Sequence, residues 1–437
     1  MSFALRKLED IELGSWSFVP VGLPSTSTVS EHASGFSEKN CGPEAFDPPQ
    51  REITASARGL VQDLTKSSKI KLSFCIPTLN RGSMIGKTLE SVVSQATDEV
   101  EIVVVDGGSS DNTREVVSTF QQDFPSLRYV CSNPQNLGTK SAPSGAGFDR
   151  DCCLAVELAR GEYCWLFTDD DLLKPGAIQK VLVAARDQYE LIVVNAEVRS
   201  ADLSRTLEAA RIRLTADHIY PPTEWQRLFA DTADYMSFVG GVVIKRQLWN
   251  ARQQKPYIGT GFIHVGVVFQ SPLHGDALVI AEPLIEIRYG DALYMRTSRY
   301  FEIWMFTWPN LIWSLPHFSD SSKLRVCHKE PWRNKRTLLQ FRAKGAFSPQ
   351  EYDGWLEKRL DSQWDRLAAR LIAGFPGSVL NFLAILRYFL SGRMPAEYLV
   401  DLVKSPFYFA RAFRGLRSSS AVRGLARRLS PSGDTSR

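Results

Sequence analysis

From Lys71 onward, short apolar runs alternate with stretches whose apolar residues recur at helical spacing. Residues 72–76 form an apolar run that ends at Pro77, and Met84, Ile85, Leu89, Val92 and Val93 then share one helical face. Residues 101–105 form a β-branched run stopped by Asp106-Gly107-Gly108. Asp111 stands where it can cap a following helix that buries Val116, Val117 and Phe120. Residues 127–130 read as a third strand, 149–159 as a helix and 163–167 as a fourth strand. The pattern then predicts a helix with Pro175 in its first position and Ile178, Val181, Leu182 and Ala185 on its inner face, followed by a fifth strand over 191–194. Such alternation predicts an α/β fold with a mostly parallel sheet covered by helices on both faces.

Parallel sheets of this kind bind ligands beyond the carboxyl ends of their strands. The polar residues fall at those ends: 77–81 after strand one, Asp106 after strand two, and Asp169-Asp170-Asp171 after strand four. Three separate segments are therefore expected to converge on one crevice.

The flanking regions read differently. Residues 1–68 are rich in Ser, Thr, Pro and Gly without a sustained period, and are expected to form a leader, with a short helix possible at 57–64. The α/β domain is expected over 69–300, divided into a regular half, 69–196, and a less regular half, 197–300. Within the latter, 235–249 and 257–270 are apolar with interspersed glycine. A helical, increasingly basic extension is expected over 301–437. It opens with an aromatic stretch at 300–313, read as broken by Pro309. It closes on a tail in which Lys404, Arg411, Arg414, Arg417, Arg423, Arg427 and Arg428 interleave with Phe407, Tyr408, Phe409, Phe413 and Leu416.

Bulk properties narrow the class. The net charge of +4 over 437 residues lacks the basic bias of a nucleic-acid binder. Seven scattered cysteines with no C-x-x-C pair point to a reducing compartment. The histidines have no zinc-type spacing. Met1 to Pro20 lacks a signal-peptide pattern. The best apolar stretch, 379–390, contains Arg387 and falls short of the roughly 20 residues a membrane span needs. The expectation is a cytoplasmic protein, at most peripheral to a membrane.

The acidic run is the main chemical feature. Three adjacent carboxylates repel one another, and a divalent cation relieves that repulsion. Magnesium or manganese is typically held by one or two carboxylates plus substrate phosphates. The alternative is a solvated turn whose acids precede a helix. Asp106 can accept hydrogen bonds from a base or ribose, or can serve simply as a turn residue. Pro77, Thr78 and Asn80 can shape a base pocket with Arg81 nearby, or can be plain turn chemistry.

Taken together, the segments resemble family-2 glycosyltransferases of the GT-A fold. The resemblance lies in Leu72-Ser-Phe-Cys-Ile-Pro-Thr-Leu-Asn-Arg81, Glu101-Ile-Val-Val-Val-Asp-Gly-Gly-Ser-Ser-Asp-Asn-Thr113, Asn136-Leu-Gly138 and Gly161-Glu-Tyr-Cys-Trp-Leu-Phe-Thr-Asp-Asp-Asp-Leu-Leu-Lys-Pro-Gly176. It is closest in look to bacterial abequosyltransferase-like enzymes. It implies a GT-A, Rossmann-like sheet and hexosyl or deoxyhexosyl transfer, with inversion, from a UDP-, dTDP- or CDP-sugar to a glycan or polyprenyl-linked acceptor of surface polysaccharide such as O-antigen. It also implies that Pro77, Thr78, Asn80 and Asp106 bind the nucleoside and that Asp170 is the main metal ligand, for Mg2+ or Mn2+, with Asp169 and Asp171 beside it. Where the family often has Asp-x-Asp-Asp, this chain places Thr168 first.

The family's general base usually lies in a Glu-Asp-like pair after a glycine-rich strand. The corresponding residues 257–266 contain no carboxylate, and His264 is the candidate base there, with Asp234 and Asp276 in reserve. The alternative for His264 is a hydrogen-bonded core histidine. Arg288, Arg296 and Arg299 are candidates for phosphate contact. The basic, aromatic tail reads either as an interfacial segment meeting anionic lipid or as a solvated or docked helix. Two other functions stay open: a non-catalytic sugar-nucleotide-binding scaffold and a sugar-phosphate nucleotidyltransferase. No G-x-G-x-x-G follows strand one, which disfavours a dinucleotide oxidoreductase.

Overall fold

The computed structural model describes residues 70–132, 146–290, 298–391 and 395–408. β1 (Leu72–Thr78), β2 (Val100–Asp106), β3 (Leu127–Cys131) and β4 (Tyr163–Leu166) alternate with α1 (Ile85–Val93), α2 (Thr113–Asp123) and α3 (Ala146–Leu158). Then come β5 (Leu172–Leu173), α4 (Ala177–Arg186), β6 (Leu191–Ser200), β7 (Thr206–Glu208), β8 (His218–Tyr220) and α5 (Trp225–Thr232). β9 (Val242–Lys245), α6 (Arg246–Ala251), α7 (Ile263–Phe269) and β10 (Ala277–Tyr289) complete the sheet region.

The sheet order is β3-β2-β1-β4-β9-β6-β10-β5, with β7 on β6 and β8 on β10. β1 pairs in parallel with β2 and β4, β2 with β3, and β6 with β10. β9 runs antiparallel to both β4 and β6, so all the long strands still point one way. The chain steps outward from β1 to β2 and β3, then returns to the other side of β1 for β4. Such a reversal of order is where open α/β sheets carry a ligand crevice, outside the carboxyl ends of the strands.

The strands are near-continuous apolar runs because both faces are covered. Phe74 and Trp165 stack at 4.9 Å, and the Trp165 indole N–H donates to Gly240 O at 2.7 Å, which satisfies its one polar atom in the core. Glu101, fully buried on β2, gathers the amino ends of the strands. It accepts from Ser73 Oγ (2.7 Å), Arg160 N (2.5 Å) and Arg160 Nε (2.8 Å), and pairs with Arg128 (3.3 Å). Burial pushes its carboxyl up, but these donors and charges together hold it below its ordinary value.

Three local expectations change. Pro175 is not the first residue of a helix. Lys174 O accepts from Ala177 N (3.2 Å) around Pro175 and Gly176, whose φ of 85° is left-handed, and α4 begins only at Ala177. Proline followed by a left-handed glycine is a type II turn. Asp111 lies one residue outside the cap position, Asn112, yet its Oδ1 still meets Thr113 N (3.1 Å). Pro309 does not break the aromatic stretch. It sits within a continuous helical run over 298–314, directly after a π-helical turn (Ile303–Thr307), and the irregular turn before it accommodates the missing N–H.

Beyond the sheet lie α8 (Ser298–Glu302), α9 (Trp308–Ser314), α10 (Asp320–Val326), α11 (Lys335–Lys344), α12 (Gln363–Gly374), α13 (Gly377–Ser391) and α14 (Ala396–Lys404). Trp308, Leu311, Ile312, Phe318 and Val326 join the sheet's own core. Phe301, Phe341, Phe347, Tyr352 and Leu356 form a second cluster, and Ala343, Ile385 and Leu402 a third. The α/β sheet with a C-terminal helical extension is the predicted class. Among the described residues no single helix is long and apolar enough to cross a membrane. The expected helix at 57–64, the Asn136-Leu-Gly138 segment, Arg296 and the tail beyond 408 lie outside the described residues.

Glu101→Gln removes the charge that this hub is built around. The expected loss is about 2 kcal/mol at neutral pH, measured by urea unfolding. Because the Glu101 pKa is lowered from 4.5, its stabilisation is present above that value and is lost as pH falls through the folded pKa. The wild-type advantage should therefore shrink in acid.

Candidate functional site

The loops after β1 and β2 are laced together at the crevice. Thr78 pairs with Asp106 at the ends of the two strands. Asn80 adopts a left-handed φ of 55°, a conformation that asparagine tolerates better than most residues. Its Oδ1 accepts from Ser110 N (2.8 Å), and its own N–H donates to Ser109 Oγ (2.8 Å). Gly82 N donates to Asp111 Oδ2 (3.0 Å) and Arg81 N to Thr113 Oγ1 (2.9 Å). These bonds hold the Arg81 backbone, and its guanidinium reaches the acidic run. Nε lies 3.4 Å from Asp169 Oδ1 and Nη2 3.7 Å from Asp170 Oδ2.

The three aspartates are not equivalent. Asp171 is buried and turned inward. Its Oδ2 accepts from Thr168 Oγ1 (2.5 Å), its Oδ1 from Arg288 N (2.7 Å), and its carbonyl from Thr88 Oγ1 (2.9 Å). This corrects its expected place beside the donor, because both carboxylate oxygens are engaged within the protein. Thr168, which stands where the family often has an acid, serves that inward carboxylate. Burial, followed by repulsion from Asp170, raises the Asp171 pKa well above its ordinary value. Burial and then Asp170 raise Asp169 to about 7, against the pull of Arg81. Arg288 completes the wall, donating from Nε to Asp170 O (2.9 Å) and from Nη1 to Ala201 O (2.8 Å). The expected phosphate-contacting role of this arginine thus meets a side chain already bonded to backbone carbonyls.

Asp106 is fully buried and accepts from Gly108 N (2.8 Å), Ser109 N (2.7 Å) and Tyr129 Oη (2.6 Å). In this state its carboxylate organises its own turn. The buried Thr78 hydroxyl lies beside Asp169 and favours the ionised form of that carboxyl, and Pro77 lies within buried β1.

Sequence reasoning missed two carboxylates on α3. Asp151 accepts from Ser132 Oγ (2.6 Å), and burial together with the nearby Asp106 lifts it to about 6. Asp149 is fully buried, and its oxygens accept from Gly259 N (2.7 Å), Gly261 N (2.9 Å) and Ile263 N (3.3 Å). The glycine-rich stretch that lacks a carboxylate of its own thus receives one from α3. Two acids on either side of Arg150, just ahead of the apolar run 152–156, were the available sequence signal.

His264 faces the core. It is 1% exposed on α7, its Nε2 lies 2.7 Å from Met236 O, its Nδ1 is buried without a partner among the described residues, and burial lowers its pKa to about 4. A ring so enclosed is a core histidine by its physical setting, which corrects the expectation of an accessible base. Of the reserve residues, Asp276 gives its carbonyl to Glu190 N (2.9 Å), and burial raises the Asp234 pKa above its ordinary value, against the pull of Arg211.

No three metal-ligating side chains cluster among the described residues. What the site offers is a repelling carboxylate pair, Asp169 and Asp170, with a single arginine facing both. That donor set fits a hard divalent cation completed by phosphate oxygens.

Strand-end acids at a reversal of strand order define a ligand-binding α/β domain. Residues 73–243 match glycosyl transferase family 2. Abequosyltransferase RfbV of Salmonella typhimurium is 26% identical over 50% of this chain and 67% of its own length. The GalNAc(5)-diNAcBac-PP-undecaprenol beta-1,3-glucosyltransferase of Campylobacter jejuni is 31% identical over 29% of this chain and 38% of its own. A Pyrobaculum calidifontis mannosyltransferase solved with GDP-Man and Mn2+ aligns with a TM-score of 0.42 at 15% identity, covering 80% of this chain and 93% of its own.

Asp149→Asn keeps an acceptor and removes a titration. The native pKa is raised from 3.8 to about 6, so this carboxyl's stabilising contribution is complete below about pH 4 and lost as pH rises through about 6. Between those limits the wild type should lose roughly 2–3 kcal/mol relative to the variant, read from paired denaturation curves.

Proposed function

We propose that the chain transfers a hexosyl or deoxyhexosyl group from a nucleoside-diphosphate sugar to a hydroxyl of a glycan or polyprenyl-linked acceptor, in the assembly of bacterial surface polysaccharide. The observation that carries this reading is the convergence of Arg81 on Asp169 and Asp170 at the ends of β1 and β4. The printed activities of the two curated relatives, an abequosyltransferase and an undecaprenol-linked glucosyltransferase, support the substrate class. The donor is a UDP-, dTDP- or CDP-sugar. Pro77, Thr78 and Asn80 shape the nucleoside pocket, with the Asp106 turn as its floor.

Asp170, with Asp169 beside it, would hold Mg2+ or Mn2+, which supplies charge stabilisation to a departing diphosphate. Arg81 faces the same carboxylates and is placed to turn to the diphosphate when a cation takes over their charge. In an inverting transfer the acceptor oxygen bonds to the anomeric carbon as the bond to the diphosphate breaks, and the acceptor proton passes to a base. The protein works on the cytoplasmic face of the membrane, where its basic tail meets anionic lipid.

A panel of nucleotide sugars with Mn2+ or Mg2+ tests the reading by release of nucleoside diphosphate and transfer to polyprenyl-linked acceptors. Asp170→Ala should lower turnover by at least about 100-fold. Full turnover in that variant would remove the metal role.

A second reading, donor binding without turnover, is favoured by the enclosed His264. Calorimetry showing tight donor binding, with no transfer to any cell-derived acceptor, would decide for it.

A further inference from the structure

The C-terminal helices present an apolar face outward. On α12, Trp364, Leu367 and Leu371 fall at i, i+3 and i+7 and form one stripe, with Trp364 78% and Leu371 64% exposed. The opposite face, Ala369 and Ala373, is buried. On α13, Val379, Phe382, Leu383, Leu386 and Leu390 recur at i, i+3, i+4, i+7 and i+11, and Leu390 is 78% exposed. Here the buried face is Asn381 and Ile385, and Asn381 donates to Ala343 O (3.1 Å) and Leu402 O (2.9 Å). A surface helix of a globular protein normally turns its apolar stripe inward. Both of these helices turn theirs outward, and a contiguous apolar surface of this kind marks an interaction site.

Charge selects the occupant. By helical spacing Arg370 and Arg387 border the stripes, whereas Arg366 lies on the other side of α12 and donates to Asp361 O (3.0 Å); the one acid on the two helices, Asp365, is paired with Lys335 at 3.0 Å. α13 carries no acidic residue. Long basic side chains bordering an apolar stripe can reach headgroup phosphates while their stems and neighbours contact acyl chains. An exposed tryptophan on the same stripe suits the boundary layer. The break between the helices, at Phe375-Pro376, bends them by 89°. Neither α12, with 12 residues, nor α13, with 15, has the length of a span by itself; the bent pair together has the length and apolarity of a broken span or re-entrant loop, and the arginines carried on both helices favour the surface position. The chain then continues into the arginine-rich sequence 411–428, of the same sign.

We propose that the outward faces of α12 and α13 dock the protein on an anionic lipid bilayer, as an interfacial helix pair distinct from the basic tail. The proposal does not rest on the transferase reading, since vesicle binding is measured without donor or acceptor.

The test is flotation of the full chain with phosphatidylcholine vesicles, with and without phosphatidylglycerol. The wild type should float with the anionic vesicles. Leu371→Glu, Leu383→Glu and Leu386→Glu combined should reduce the bound fraction at least tenfold in apparent partition, by about the loss of three buried aliphatic side chains. Circular dichroism checks the fold, and the milder set Leu371→Gln, Leu383→Gln and Leu386→Gln should show the same direction. Arg370→Gln and Arg387→Gln together should weaken the preference for phosphatidylglycerol, leaving the part that the tail arginines supply. The proposal is overturned if the wild type binds neither vesicle. It also fails if the leucine variants bind like the wild type while Arg423→Gln, Arg427→Gln and Arg428→Gln remove binding, which would assign the contact to the tail alone. A dimer in sedimentation that the leucine substitutions dissolve, without vesicle binding, would overturn it in favour of a second copy of the chain.

Discussion

Placing three carboxylates side by side at a strand end is the constraint around which the crevice is organised. The protein meets it by separating them. Asp171 is drawn inside, where Thr168 and the Arg288 amide occupy its oxygens and α1 fastens its carbonyl through Thr88. Asp169 and Asp170 stay at the crevice with Arg81 as counter-charge. One buried aspartate thus ties the end of β4 to β10 and α1, and its two neighbours are aimed by that anchorage. The cost of burying the inward carboxyl is visible in its raised pKa, and the remaining repulsion at Asp169 is what a divalent cation would relieve.

The same economy of backbone contacts sets the other walls. Asn80 and Asp111 stitch the β1 and β2 loops, so that the arginine between them is held by a fixed backbone. Asp149 reaches from α3 to three amides at the start of α7 and orders a glycine-rich stretch that has no carboxylate of its own. A carboxylate accepting several backbone N–H groups fixes main-chain geometry without needing a regular ladder, and glycine lets the chain come that close.

The C-terminal helices are tied to this framework. Tyr289 on β10, next to Arg288, donates to Asp401 on α14 (3.0 Å), and Lys404 donates to Gly290 O (2.7 Å). Lys344 on α11 pairs with the same Asp401 at 2.6 Å, and Asn381 joins α13 to α11 and α14. A short series of buried polar bonds therefore connects the outward apolar helices to the strand that supports Asp170 and Asp171. In the proposed arrangement, a surface-bound helix pair would hold the crevice at a set orientation to a lipid-linked acceptor.

Local sequence determined the strand–helix alternation of the first half, because apolar runs with a period of two or of 3.6 residues commit a segment to strand or helix before any partner is chosen. It also put Asn80, Arg81 and the acidic run just past strand ends, with Pro77 and Asp106 among the last residues of β1 and β2. Tertiary structure decided the rest. Nothing local to Thr168-Asp169-Asp170-Asp171 says which carboxylate turns inward, because the partner is an amide on β10 more than a hundred residues away. The enclosure of His264 likewise depends on Met236, and the clamp from Asp149 on amides far along the chain. The outward stripe of α12 and α13 was present as a helical period, but a period has two possible senses. Only packing on α11 and α14 fixed which face each helix buries.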